Sequence, residues 1–407
     1  MFSKKKKTLD SIIWNFIDNH IDLIYLVLIT LLAIIIRIVL LEYTSNDYNA
    51  FLKPWFGQLN GAGGLPGLAY EIGDYAPPYM IILALLTYLP MNSLISIKLV
   101  SIIFDFVSAI AIYKIAGELL KKKKQGKSIA ILFYAIALFL PTVILNSAYW
   151  AQCDGIYTSF ILISIYYLMK KDYGRSLIVF GIALSFKLQA IFILPLYILM
   201  YISERKIKFY QFLYVPLVMF LLSIPKIIFS GDLLCAFRPY FGQVDSYADY
   251  ITLNFPNVYS LFLSKAPSGS RNLIYTPFDK YKYVGIIITF VILVTLAYFV
   301  RLNKIKFKKE TIIEFAILSI LITTFFLPQM HERYLYMGDL LCILYLLVNK
   351  KKYYLPIGVL LISLYGYNGY LFGGKAFPIA YISVLFLIII IIYSRDIIKK
   401  YFITSKE

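Results

Sequence analysis

The chain has 407 residues, of which 60% are hydrophobic and 15% charged, and its mean hydropathy is +0.76. That apolar excess is more than a soluble core of this size can hide, which excludes a soluble globular protein. The net charge of +18 does not point to nucleic acid, because the lysines stand in short runs beside apolar segments and not along an amphipathic face.

Segments such as 21–41, 283–300 and 379–393 are long enough to cross a hydrocarbon core of roughly 30 Å at about 1.5 Å per residue. The basic runs at 4–7, 121–127, 170–171, 205–208, 304–309, 350–352 and 395–400 fit cytoplasmic loops by the positive-inside rule. With every run inside, helices are predicted at 22–41, 96–119, 128–146, 154–169, 175–187, 190–202, 210–229, 281–301, 311–327, 334–348, 353–371 and 378–394. Both termini then lie in the cytoplasm. The first apolar segment follows a basic start, as a signal peptide would, but it is too long and lacks a small-residue cleavage site, so it is expected to remain as the first helix. Segment 77–91 is apolar but short and bounded by Pro77-Pro78 and Pro90, which predicts a helix partly embedded at the outer surface.

The expectation is an all-α integral membrane protein with about 12 transmembrane helices. It is read as one polytopic unit over 1–407, with a module at 1–229, a second outer loop at 230–280 and closing helices at 281–407. The inner loops are short and basic, whereas two outer loops are long, at 42–95 and 230–280, so function is expected outside. The first carries Asp47, Lys53, Trp55, a glycine-rich stretch at 57–67, Glu71 and Asp74. The second carries Asp232, Arg238, Tyr240, Asp245 and Asp249, with turn residues at 267–270. Smaller outer turns hold Trp150, Gln152 and Asp154, then Lys187 and Gln189, then His331, Glu332 and Arg333.

The three cysteines form no CxxC and no zinc spacing, and neither a GxxxxGK loop nor an HExxH motif is present. Charged groups at membrane depth are costly and usually mark a site. Here the acids Asp47, Asp74 and Asp154 share the outer helix ends with Lys187, His331 and Arg333, all from distant segments. Acids facing cations around one cavity suit transfer of a sugar from a lipid phosphate: a carboxylate takes the acceptor hydroxyl proton, and cations neutralise the departing phosphate. Simpler roles are open to the same residues. Ser45-Asn46-Asp47 is also a helix-cap sequence, Asp154 can cap the helix after it, Lys187 can snorkel, and 331–333 can form a hydrated turn with a local ion pair. Asp105, inside an apolar helix, is explained equally by a bond to a neighbouring helix.

Four segments also resemble a known family. The pattern Asp47-Tyr48-x-Ala50 with Trp55, followed by Gly73-Asp74-Tyr75-Ala76-Pro77-Pro78, resembles the opening of GT-C fold glycosyltransferases that use polyprenyl-phosphate sugars. Trp150-Ala151-Gln152-Cys153-Asp154, Phe186-Lys187-Leu188-Gln189-Ala190 and Met330-His331-Glu332-Arg333-Tyr334 are similar to segments of bacterial relatives of the second GPI mannosyltransferase, and more loosely of the eukaryotic dolichyl-phosphate-glucose enzymes. The spacing from Ala50 to Trp55 is longer than the eukaryotic pattern. The resemblance implies a GT-C fold, and an inverting hexosyltransferase with Asp47 as the general base. Lys187 and Arg333 are then assigned to the donor phosphate with His331, where a guanidinium can bind two oxygens at once. Asp74, Asp154, Gln152, Gln189, Trp55 and Trp150 are assigned to the sugar or the acceptor, the two acids alternatively to holding the cations.

The partners expected are a lipid-linked donor such as an undecaprenyl-phosphate hexose, an extracytoplasmic glycan acceptor and membrane lipids, with no nucleic acid. A divalent cation could sit among the three aspartates, but the neighbouring cations can neutralise phosphate alone, so no cofactor or metal is expected. The competing class is a flippase of a lipid-linked sugar, which predicts paired repeats and polar groups at the bilayer midplane. The sequence shows neither; its acids lie at outer helix ends.

Overall fold

The computed structural model describes residues 8–242, 250–262, 273–275, 278–374 and 377–403. Asp245, Asp249 and the turn at 267–270 lie outside them. The chain opens with α1 (Leu9–Val39), capped at its N-terminus by Thr8, whose hydroxyl accepts from the Ser11 amide. At its other end buried Lys98 donates to the carbonyls of Leu40 (2.8 Å), Leu41 (3.1 Å) and Tyr43 (2.6 Å), satisfying acceptors the helix leaves open. The first long loop contains α2 (Lys53–Gly61) and α3 (Pro77–Leu86), the latter too short at 10 residues to cross a membrane. These pack into their own small core around Leu59, Leu68, Tyr79 and Leu83.

Then follow α4 (Ser93–Leu120), α5 (Gly126–Phe139), α6 (Asp154–Met169), α7 (Tyr173–Phe186), α8 (Leu194–Glu204) and α9 (Tyr214–Ser230). The last five are α10 (Phe278–Leu302), α11 (Lys309–Phe326), α12 (Tyr336–Val348), α13 (Tyr354–Leu371) and α14 (Ile379–Ile398). Each predicted helix has a counterpart, but among the described residues only 5 are long and apolar enough to cross a membrane, or 6 if one bent pair counts as a span. Length and composition alone thus support 5 or 6 spans, and shorter apolar helices at 77–86, 154–169, 173–186, 188–204 and 336–348 stand beside them. Several helices are short and packed inside, as α12 is, with 336–345 wholly buried. α11 forms the centre, buried from Thr311 to Phe325, whereas α1 and α10 expose most of their apolar surface, as lipid-facing helices do.

Two departures from the predicted helices shape the site. The helix expected at 128–146 breaks at Leu140, where Pro141 forces its predecessor into an extended conformation, and the chain turns by 50°. It resumes as a short helix and closes in a π-helical turn at Leu145–Tyr149. The second is a sheet of order β2-β1-β3, in which β1 (Tyr250–Leu253) pairs antiparallel with β2 (Leu273–Tyr275) and parallel with β3 (Met330–His331). The second long loop thereby grips the segment after α11. Inside the bundle, Asp105 of α4 meets Arg37 of α1 at 2.9 Å and accepts from Ser147 at 2.5 Å, so its role is to tie helices together.

Candidate active site

Asp47 leaves α1 through a short loop anchored by Ser45, whose hydroxyl donates to the Trp150 carbonyl at 2.7 Å. Its side chain is 10% exposed. Trp150 Nε1 (3.0 Å) and Gln152 Nε2 (2.6 Å) donate to Oδ2, and the Tyr370 hydroxyl donates to Oδ1. A carboxylate offers about four acceptor positions, so three protein donors leave about one for a substrate hydroxyl. Arg333 Nη1 stands 4.0 Å away, and its guanidinium lies 5.4 Å from the Trp150 ring centre.

Asp154 begins α6 and is fully buried. Lys187 Nζ approaches its Oδ1 at 2.5 Å, Asn146 Nδ2 donates to Oδ2 at 2.9 Å, and Arg333 Nε stands 3.5 Å off. Lys187 reaches it because α7 stops at Phe186 and Lys187 is extended before the chain resumes in a 3-10 turn. A buried charge survives only when paired, and here one carboxylate holds both cations. Arg333 also donates to Glu332 Oε1 at 2.8 Å.

The turns that deliver these groups adopt unusual backbone. Ala151, Asn254 and Gln329 have φ of 67°, 56° and 58°, in the left-handed region that non-glycine residues rarely visit. Gly73 is also left-handed, and a Cβ there would stand 2.8 Å from Trp55 Cδ2, so glycine lets the first loop close over that indole.

Two cavities meet at Asp74, Tyr75, His331 and Arg333. One, of about 220 Å³, is polar and lined also by Asp47, Trp55, Gln152, Asn254, Glu332 and Tyr370. The other, of about 340 Å³, contains Lys187 and Gln189 within a wall made apolar by Ile191, Phe192, Ile286, Leu327 and Met330. Burial pushes the Glu332 carboxyl up to about 7, with Asp47 adding to the rise and Arg333 opposing it. Burial and the charges of Arg333 and Lys187 hold His331 well below its usual value, so it is a neutral imidazole at neutral pH and not a cation. Desolvation raises the Asp74 carboxyl, against the pull of Arg333 and Lys187.

All ten residues singled out from sequence gather here, but not all in the places expected. Asp154 and Trp150, assigned to the sugar or acceptor, are fully buried and line neither cavity. Asp154 holds the two cations, the alternative role the sequence offered, and Trp150 braces Asp47 while stacked on Tyr370 at 4.8 Å. Gln152 is occupied on both sides, donating to Asp47 and accepting from Tyr75 at 3.2 Å. Trp55, Asp74 and Gln189 do face a cavity. From the second loop, Arg238 bridges Glu71 (3.2 Å) and Asp232 (2.9 Å) beside a third cavity that touches the others through Asp74 and Tyr75. Tyr240 anchors that loop by donating to the Leu184 carbonyl at 2.7 Å. Sequence reasoning singled out none of Tyr75, Asn146, Asn254, Glu332 and Tyr370 for a role in the site. Among the described residues no three His, Cys, Asp or Glu side chains converge as a metal ligand set.

Several apolar helices long enough to span, packed around a charged cavity, are those of a multi-pass membrane protein. Residues 74–229 match the family described as dolichyl-phosphate-mannose-protein mannosyltransferase. With the fold, that match supports the GT-C glycosyltransferase superfamily, and the protein is a membrane glycosyltransferase of GT-C type. No curated protein shows a significant match to the chain.

Proposed function

We propose that the protein transfers one hexose, with inversion, from a polyprenyl-phosphate sugar to an extracytoplasmic glycan or lipid-linked acceptor. The observation that carries this reading is the pairing of cavities. A polar one holds the nearly saturated Asp47, an apolar-walled one holds Lys187, and Arg333 is common to both. In this reading the prenyl chain lies along the apolar wall and its phosphate sits against Lys187 and Arg333, within hydrogen-bonding reach of neutral His331. The acceptor hydroxyl oxygen attacks C1 from the side of Asp47. The new C1–oxygen bond forms as the C1–O–phosphate bond breaks, the hydroxyl proton passes to Asp47, and polyprenyl phosphate leaves with the electron pair. A phosphate needs no general acid to depart, so one base and two cations suffice.

The same reading needs no divalent metal, because Asp154 is committed to Lys187 and Arg333, and Asp47 to three donors. The lysine-rich end of the bundle is cytoplasmic, with both termini, and the site opens on the outer side. The donor lipid is undecaprenyl phosphate.

The test is transfer by purified protein in detergent from a panel of undecaprenyl-phosphate hexoses, with Asp47→Asn beside the wild type and with and without EDTA. Transfer by the wild type that survives EDTA and falls about 10²- to 10⁴-fold in a folded Asp47→Asn variant is expected. If no donor is consumed while labelled lipid-linked sugar crosses proteoliposomes, the protein is a flippase and the reading is wrong. Activity lost to EDTA and restored by a divalent cation would overturn its metal-free part.

A further inference from the structure

Most of the polar side chains on the wall of the Asp47 cavity are committed to one another. Tyr370, Trp150 and Gln152 donate to Asp47, Tyr75 donates to Gln152, and Arg333 donates to Glu332. Asn254 is different. It lines the cavity and is 5% exposed, yet its side-chain amide has no hydrogen-bond partner among the described residues. Its amide atoms are not among the wholly buried ones, so they remain open to whatever fills the cavity.

Its position is fixed from both sides. β1 is held in register against β3, with Leu253 opposite His331, and the Gln329 amide donates to the Ile251 carbonyl at 2.7 Å. Behind it, Thr252 donates to the Phe255 carbonyl at 3.0 Å and Asn257 donates to Thr252 at 3.1 Å. Asn254 itself ends the strand in the left-handed region and bridges to His331 through its backbone. Asparagine is among the few residues that tolerate this conformation.

An amide offers a carbonyl acceptor and two N–H donors on one plane. Neighbouring ring hydroxyls of a hexose, each both donor and acceptor, match that pattern, and epimers differ in whether the pair is presented. On this basis, and resting on the transfer reading above, we infer that Asn254 is a specificity-determining residue that binds a vicinal hydroxyl pair of the transferred hexose in the Asp47 cavity. Asn254 takes no part in proton transfer; it reads the sugar.

The experiment compares kcat/KM for undecaprenyl-phosphate glucose, galactose, mannose and N-acetylglucosamine in wild type, Asn254→Gly and Asn254→Asp. Glycine keeps the left-handed backbone and removes the amide; aspartate keeps the shape and removes the N–H donors. Both variants should lose about 10-fold or more on the preferred donor and less than about threefold on its epimers, flattening the preference, as loss of a hydroxyl-binding group does. An equal fall on every donor, or no fall, in a variant that melts like the wild type would overturn the assignment. If Asn254→Gly fails to fold, the Asn254→Asp ratios decide in the same way. A wild type that transfers no hexose rejects the transfer reading itself, and the assignment falls with it.

Discussion

At the lysine-rich end of the bundle, Glu118 accepts from Lys170 (3.0 Å) and Lys309 (2.6 Å), Glu314 from Lys400 (2.7 Å), and Asp396 from Lys352. At the loop end, Asp47, Asp154 and Glu332 share Lys187 and Arg333. The residue types are the same, yet the surroundings differ. The lysines of the first end are 29–47% exposed and reach water, so their pairs clasp helix ends and gain little more than a surface pair does. The Lys187 and Arg333 side chains are 8% and 12% exposed and border cavities. Charge there is held by pairing, and in the proposed transfer an arriving phosphate meets cations whose desolvation folding has already taken on. The comparison separates ion pairs that fasten a membrane protein from ion pairs that prepare a site.

Lys187→Met should break that comparison most sharply. It leaves Arg333 as the remaining cation beside buried Asp154, and transfer should fall about 10²- to 10³-fold. The matching Lys352→Met change at the other end should leave kcat/KM within about twofold. Next is Tyr370→Phe, which removes the hydroxyl that donates to Asp47 while the ring remains against Trp150. A loss of about 10-fold, carried by kcat and not by KM, is expected from one hydrogen bond to the proposed base.

Much of this was readable in advance for reasons that differ from residue to residue. The helices were legible because apolar runs end at lysines. Asp154, Lys187 and Arg333 stood out because ionised groups among apolar segments are costly. The break at Leu140 was signalled by Pro141 and overlooked in favour of an unbroken apolar run. Tyr370 could not be picked out from 37 tyrosines, since nothing local distinguishes the one that reaches Asp47 from those in the core. Asn254 depends on a strand paired with residues 78 positions away, beyond the reach of period and propensity. Burial decides between the two roles open to Asp154 and moves Trp150 off the cavity wall, and burial is a tertiary property. A tryptophan beside acids reads as a sugar platform until packing puts it under the carboxylate.

Glu332 sharpens the comparison through pH. Its carboxyl titrates near 7 in the folded chain against an ordinary 4.5, so between those values the folded state binds a proton that the unfolded state does not. Stability contributed by this group therefore falls as pH rises from about 4.5 to about 7, and the full penalty applies above that. Glu332→Gln removes the titration. Its melting temperature should vary less than that of the wild type across this window, and the difference between the two proteins should change in favour of the variant toward pH 8.

The smallest effect on transfer belongs to Glu314→Gln. Glu314 is buried in α11 and receives Lys400 and Tyr401, so losing its charge weakens the clasp between α11 and the C-terminal segment. Because Lys400 is half exposed, water takes up much of what is lost, and a destabilisation of about 1 kcal/mol is expected. Transfer should stay within about twofold of wild type below the melting temperature. Should transfer fall while melting is unchanged, α11 would have to carry strain from its lysine-rich start to the turn bearing His331 and Arg333 at its other end. The two ends of the bundle would then be coupled through that one buried helix, and an ion pair that fastens would also be one that prepares.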